Sequence, residues 1–201
     1  MNKPKLICLS GHKGSGKDTM GIHLLASHGY RPISLAAPLK DMTAQLYDIP
    51  RWHFDDRDWK DAPIMTLPVE DTDAFSEMIH WQLREELSSG FWTPRALLIL
   101  EGSTKRSVFA NYWLKKLVSV VLSSEDRFVV TDMRYRNEAE MFKLLIPGSI
   151  NIRVVREGNT ILTQDASERD LDGYQFDRTI HNSGSLMQFH TTIDIHMTEG
   201  K

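Results

Sequence analysis

The sequence predicts an α/β fold, with a parallel sheet and helices on both of its faces. Three observations point there. Short apolar runs rich in β-branched residues alternate with longer stretches of helical periodicity. The first run, Lys5 to Ser10, leads straight into a glycine-rich turn and then a helical stretch. The best interior strand, Arg127 to Asp132, is an apolar run that ends in an acid.

The elements follow in order. Lys5 to Ser10 reads as a short buried strand, and Lys17 to His28 as a helix closed by Gly29, a natural C-cap. Arg31 to Leu35 is a second strand. Pro38 opens a helix that runs to about Tyr47. Ile49 to Asp71 is irregular and carries Pro50, Pro63 and Pro68, the pattern of a functional loop. Phe75, Met78, Ile79, Gln82 and Leu83 have nearly helical spacing. Thr93-Pro94 is a helix start, with Thr as N-cap and Pro in the first turn. Phe109 to Val121 traces a helical stripe that serves a core or a partner, so a homodimer stays open. Asn137 to Ile146 reads as a helix and Ser149 to Val155 as a strand. Arg156 to Gly173 is polar and weakly periodic, and Ser185 to His196 holds a helix and a strand.

Composition bounds the answer. The chain has 201 residues, 41% of them hydrophobic and 25% charged, enough to bury a full core in one domain over 1–201. No repeat or low-complexity linker argues for a second domain. A net charge of −3 opposes a surface that coats polymeric nucleic acid. The single cysteine, Cys8, excludes an internal disulfide and thiolate zinc sites, and its apolar setting reads as buried. No run approaches a membrane span, and Leu6 to Leu9 is too short for a signal peptide, so a reducing cytoplasm is expected.

Gly11 to Thr19 spells Gly-His-Lys-Gly-Ser-Gly-Lys-Asp-Thr, a match to G-x-x-x-x-G-K. A turn that wraps a phosphate with backbone N–H groups has no room for side chains, and the following helix directs its N-terminal dipole at the anion. Gly14, Ser15, Gly16, Lys17, Asp18 and Thr19 are therefore the ATP-binding candidates, with Lys17 as the point charge. The fold class sharpens to a three-layer P-loop NTPase fold, to which the resemblance described below adds a short lid. The residue after the lysine is usually Ser or Thr. Here it is Asp18, a candidate Mg²⁺ ligand, and Thr19 is placed for the α-phosphate. Asp132 is the second metal candidate, the strand-end acid that orients Mg²⁺ or its water; capping the next turn is its simpler role. Arg95 and Arg134 are candidates for an anionic substrate, since guanidinium binds phosphate in bidentate fashion. Arg106 and Arg136 fit either that role or a solvated surface.

With these residues in view, the chain resembles the phage-type deoxynucleoside monophosphate kinases. Five stretches carry the resemblance: Leu9 to Thr19, with its Lys-Asp-Thr ending; Ser34 to Lys40; Thr93-Pro94-Arg95 to Thr104; Val129 to Ala139; and Ser167-Glu168 with Phe176-Asp177 and Asn182 to Ser185. The resemblance implies that ATP and Mg²⁺ are used and that a deoxynucleoside monophosphate is the acceptor. It implies Lys17, Asp132 and Arg134 as catalytic residues. Lys13, Lys40, Arg95, Arg134 and Glu168 grip the acceptor, and residues 156–173 form the lid. Asp165 stands where the family often has a histidine. Transfer would be in line, with Lys17, Mg²⁺ and arginines neutralising charge, and no general base is needed.

Other readings stand beside this one. A P-loop kinase for another small acceptor is one, and a non-catalytic ATP-binding regulatory module is another. Asp170-Leu171-Asp172-Gly173 reads D-x-x-G, but no N-K-x-D guanine motif accompanies it. Trp52, His53, Phe54 and Trp59 suit either stacking on a base or anchoring a loop on the core. His23 and His28 share a helix but lack a third ligand nearby, so structural or surface roles are expected for them rather than metal binding.

Overall fold

The computed structural model describes residues 3–12, 14–56, 58–66, 90–156, 158 and 170–198. The chain divides into two compact units, Met1–Leu35 with Leu117–Lys201, and Ala36–Lys116.

The first unit holds the sheet. Its strands are β1 (Leu6–Ser10), β2 (Tyr30–Ile33), β3 (Arg127–Val130), β4 (Ile150–Val155) and β5 (Arg178–His181), in the order β2-β3-β1-β4-β5. Every neighbouring pair is parallel. β1 is central and buried along its whole length, so it reads as a continuous apolar run rather than an alternating one. Its register is fixed by Leu6 opposite Phe128 on one side and Leu9 opposite Ile152 on the other.

The helices of this unit are α1 (Lys17–His28), α5 (Arg136–Leu145) and α6 (Leu186–Thr198), with the Leu117 to Ser123 end of α4 (Tyr112–Ser123). α1 leads from β1 toward the β2 edge, whereas α5 leads from β3 toward the β5 edge. Right-handed crossovers in opposite directions place their helices on opposite faces. The side chains agree. Ile7, Leu9, Val129, Ile152, Val154 and Ile180 meet Met20 and Leu24 of α1 and Phe189 and Ile193 of α6 in one core. Asn151, one residue out of phase with Ile152, points the other way and donates from Nδ2 to the Ala139 carbonyl of α5 at 3.1 Å. α1 lies very close to the sheet: a Cβ at Gly21 would stand 2.6 Å from the Thr131 methyl.

The second unit contains α2 (Ala37–Leu46), a single 3-10 turn (Arg51–Phe54), α3 (Pro94–Val108) and the start of α4 (Tyr112–Ser123). Thr93 caps α3 as its sequence predicts, its hydroxyl accepting from the Ala96 N–H at 3.1 Å. Ile49, Phe54 and Leu97 form the core here, with Tyr47 and Trp92 packed against them. Trp113 is buried, in keeping with a core role for its stripe, and its indole N–H reaches the Gly102 carbonyl.

Two expectations are corrected. The second strand begins at Tyr30, directly after the Gly29 cap, and ends at Ile33. At the C-terminus, Leu186–Thr198 is helix throughout, and the last strand lies earlier, at Arg178–His181. That strand is an edge with only Ile180 buried, so it carries no apolar run to read. The helix start had a signal. Ser185 and Gln188 form a reciprocal cap, Ser185 N–H to Gln188 Oε1 at 2.8 Å and Gln188 N–H to Ser185 Oγ at 3.3 Å. The helix expected around Phe75 to Leu83 lies outside the described residues.

Candidate functional site

β1 and β3 lie side by side, and the connections that follow them leave in opposite directions. The crevice at the carboxyl ends of such strands is where open α/β sheets bind ligands. The glycine-rich turn follows β1 there, and Asp132 follows β3.

The turn is shaped by its glycines. A Cβ at Gly11 would lie 2.4 Å from the Val154 carbonyl oxygen of β4, a main-chain atom that cannot yield. Gly16 caps α1 at φ 106°, ψ 13°, left-handed backbone that favours glycine. The turn closes on itself through a Ser15 N–H to His12 carbonyl bond of 3.1 Å. Lys17 Nζ reaches back across the turn to the carbonyls of Gly11 and His12, the latter at 3.0 Å. Its ammonium is thereby kept inside the turn. Ser15 Oγ is buried and has no hydrogen-bond partner among the described residues.

A cavity of about 320 Å³ opens on the turn and the N-terminus of α1. Gly14, Gly16, Lys17, Asp18 and Thr19 line it from one side; Arg156, Asn182, Gly184, Leu186 and Phe189 line it from the other. Five of the six ATP-binding candidates therefore share one cavity, while Ser15 is buried in the turn and does not line it. The cradle of glycines, the positive charge of Lys17 and the helix N-terminus suit a polyphosphate. Asp18 and Thr19 place a carboxylate and a hydroxyl, both hard oxygen donors, beside it, which fits Mg²⁺.

The residues that sequence reasoning left without a role here are Asn182 and Arg153, whereas Arg156, the first residue of the expected lid, lines the cavity. Asn182 Nδ2 donates to the Ser15 carbonyl at 2.9 Å and so ties the end of β5 to the loop. Arg153 of β4 is a strut behind the turn. It donates to Ser10 Oγ at 3.0 Å and to Asp172 Oδ1 at 3.1 Å, and its Nη2 meets His12 Nε2 at 3.0 Å. Its signal was a charged residue inside a buried strand, which demands partners.

Asp132 is engaged with the end of β2. Its carboxylate accepts from Ser34 Oγ at 2.9 Å and from the Leu35 N–H at 3.0 and 3.1 Å. Arg134 is exposed in the loop after β3, and its N–H donates to Glu138 Oε2 at 2.8 Å. The same oxygen accepts from the Tyr135 N–H at 3.0 Å. Burial pushes the Glu138 carboxyl above its ordinary range, and these two N–H donors only partly oppose that. Burial likewise pushes the Cys8 thiol well up, as its buried reading implies.

Lys40 and Arg95 belong to the second unit, where each meets a carboxylate. Lys40 Nζ pairs with Asp55 at 2.7 Å. Arg95 grips Asp61 with two nitrogens, Nη2 to Oδ2 at 3.2 Å. Burial raises the Asp55 carboxyl, but bonds from Lys40 and Arg51 outweigh it and hold it below the usual range. The Arg95 bond does the same for Asp61. A phosphate arriving at either cation would have to displace a carboxylate. Trp52, His53 and Trp59 do come together, with His53 stacked on Trp59 at 5.0 Å between centroids. Lys13 and Glu168 lie outside the described residues, as does most of the expected lid.

No protein-family model matches the sequence, and no curated protein matches it. Among solved structures the chain is similar to a dephospho-CoA kinase from Campylobacter jejuni, at 18% identity and a TM-score of 0.48, covering 97% of this chain and 96% of that one. It is similar to a gluconokinase from Sinorhizobium meliloti 1021 at 14% identity and a TM-score of 0.45, over 98% and 93% of the two chains. It is also similar to TT1252 from Thermus thermophilus at 15% identity and a TM-score of 0.45, over the full length of both. No helix among the described residues is long and apolar enough to cross a membrane.

Proposed function

We propose that this protein is a P-loop kinase, a single domain over residues 1–201, that transfers the γ-phosphoryl group of ATP to a deoxynucleoside monophosphate. The observation that supports it most is the cavity shared by the glycine turn, Lys17, Asp18, Thr19 and Arg156. It offers backbone donors, two cationic side chains and hard oxygen ligands in one place, the set that phosphoryl transfer requires. The choice of acceptor rests on the sequence resemblance.

In this reading the turn and Lys17 bind the ATP phosphates, and Lys17 exchanges its two carbonyl partners for phosphate oxygens. Asp18 and Asp132 would hold Mg²⁺, which neutralises phosphate charge when bound, and Thr19 would contact the α-phosphate. Lys13, Lys40, Arg95, Arg134 and Glu168 position the acceptor. An acceptor phosphate oxygen attacks the γ-phosphorus, and the bond to the leaving ADP oxygen breaks with its electron pair. The acceptor is already an anion at neutral pH, so no residue has to remove a proton. Residues 156–173 close over the phosphates and keep water from competing.

The test is ADP release from ATP and Mg²⁺ against a panel of deoxynucleoside monophosphates, with gluconate and other small hydroxylated acceptors alongside. Release stimulated by one or more of the monophosphates is expected. Stimulation by a different acceptor alone would move the protein to another kinase class. Tight ATP binding with no acceptor-dependent turnover would make it a nucleotide-binding regulator.

A further inference from the structure

Away from the phosphate cavity, α1 and α6 bring together three metal-ligating side chains that lie far apart in sequence. His23 and His28 of α1 both direct Nε2 at one oxygen of Asp194 on α6, Oδ1, at 2.8 and 2.7 Å. The expectation that these histidines lack a third ligand is corrected by this contact, since 166 residues separate His28 from Asp194. The ligand atoms all lie within 4.8 Å of one another.

We propose that His23, His28 and Asp194 form a binding site for a divalent first-row transition ion of the Zn²⁺ type, which clamps α1 to α6. Two imidazole nitrogens and one carboxylate oxygen, with a fourth position open to water, are a tetrahedral donor set for such an ion. All-oxygen preferences set Mg²⁺ and Ca²⁺ apart from it. Bond lengths of about 2.0–2.2 Å in a tetrahedron put neighbouring ligands about 3.4 Å apart. The two contacts to Asp194, 2.8 and 2.7 Å, would widen by less than about 1 Å, while the two histidine nitrogens, within 4.8 Å of each other, would settle at the same spacing.

The surroundings suit a site rather than a chance contact. Both histidine side chains are nearly buried, 10% and 9% exposed, while Asp194 is 47% exposed. The cluster is held on its inner side and open to solvent on its outer side, which supplies an entry path. His190, one turn before Asp194 on α6, stacks on His23 with centroids 4.1 Å apart and so fixes that ring. The clamp would also bear on the nucleotide site, because α1 begins at Lys17 and α6 carries Leu186 and Phe189 of the cavity wall.

The experiment uses the full chain, freed of metal by chelation and titrated with ZnCl₂ by calorimetry, with CoCl₂ as a visible-absorption probe. One ion per chain is expected, together with the visible bands of tetrahedral Co²⁺. His28→Gln and Asp194→Asn should weaken Zn²⁺ by more than the roughly 10–100-fold that loss of a supporting residue costs, while His53→Gln in the other unit binds as the parent does. Should a variant fail to fold, the parent alone decides. Imidazole nitrogen NMR must show Zn²⁺-induced shifts at His23 and His28. No uptake of Zn²⁺, equal binding by all variants, or shifts confined to other histidines would each overturn the proposal and leave a hydrogen-bonded His–Asp–His contact.

Discussion

Replacing Gly16 with alanine puts a methyl group where the backbone and two neighbours leave no space for it. At φ 106° the residue is in left-handed territory, which costs an L-residue about 1–2 kcal/mol. The new Cβ would stand 2.5 Å from Asn182 Nδ2 and 3.2 Å from the Phe189 ring. Asn182 is the flexible partner and would move, giving up its 2.9 Å bond to the Ser15 carbonyl. A lost hydrogen bond of this kind adds about 1 kcal/mol. The sum is about 2–3 kcal/mol, or a fall of roughly 4–12 °C in Tm for a chain of this size. Gly148 supplies the control. It too has positive φ, 78°, but a Cβ there meets nothing within 4 Å. Gly148→Ala should therefore show the backbone cost alone and bind ATP normally. Urea unfolding of both variants, with ATP titration by calorimetry, separates the two effects. Equal stability losses and unchanged ATP affinity in both would refute the account of the turn.

Further outcomes follow from the surroundings of single residues. Glu138 has a raised carboxyl pKa in the folded state, so the folded protein holds its proton more firmly than the unfolded chain. Its contribution to stability is complete below the ordinary value of 4.5 and is lost as pH rises through the folded value. The unfolding free energy of the parent relative to Glu138→Gln should thus fall from acid toward neutral pH; a flat or rising difference would contradict this. Cys8 is fully buried with a raised thiol pKa, so an aromatic disulfide reagent should react only after denaturant is added. Full reaction in the native protein would place the thiol at the surface. Asp132→Ala strips the acceptor from the Leu35 N–H and the Ser34 hydroxyl, and should cost roughly 1–3 kcal/mol in urea unfolding. No loss of stability would mean that those bonds do not hold the end of β2.

Much of the fold was legible because burial writes itself into sequence most clearly where it is complete. β1 is buried on both faces and so reads as an unbroken apolar run, and the turn that follows must be glycine-rich for steric reasons. Gly29 and Thr93 marked helix ends through chemistry local to the cap. β5 was illegible because an edge strand with one buried residue, Ile180, leaves no period to detect. The site was half legible. Residues contiguous in the turn announce themselves. Asn182 and Arg153 do not, because their relation to the turn exists only after β4 has paired with β1 and β5 with β4. Asp194 was invisible for the same reason. Its helix meets α1 through tertiary packing, and nothing near His23 or His28 in sequence points to it. Lys40 and Arg95 show the converse. Their positive charge was evident, but the carboxylates of Asp55 and Asp61 that meet it were not.

In the proposed function, Lys17 and its turn present the γ-phosphoryl group of ATP to a nucleotide acceptor. Incubation with γ-labelled ATP, Mg²⁺ and the monophosphate panel, followed by separation of products, tests it most directly. Label is expected in a deoxynucleoside diphosphate for the parent protein and none for Lys17→Met, whose unfolding midpoint stays close to the parent's. Label transferred equally well by Lys17→Met, or label released only as inorganic phosphate by the parent, would contradict it.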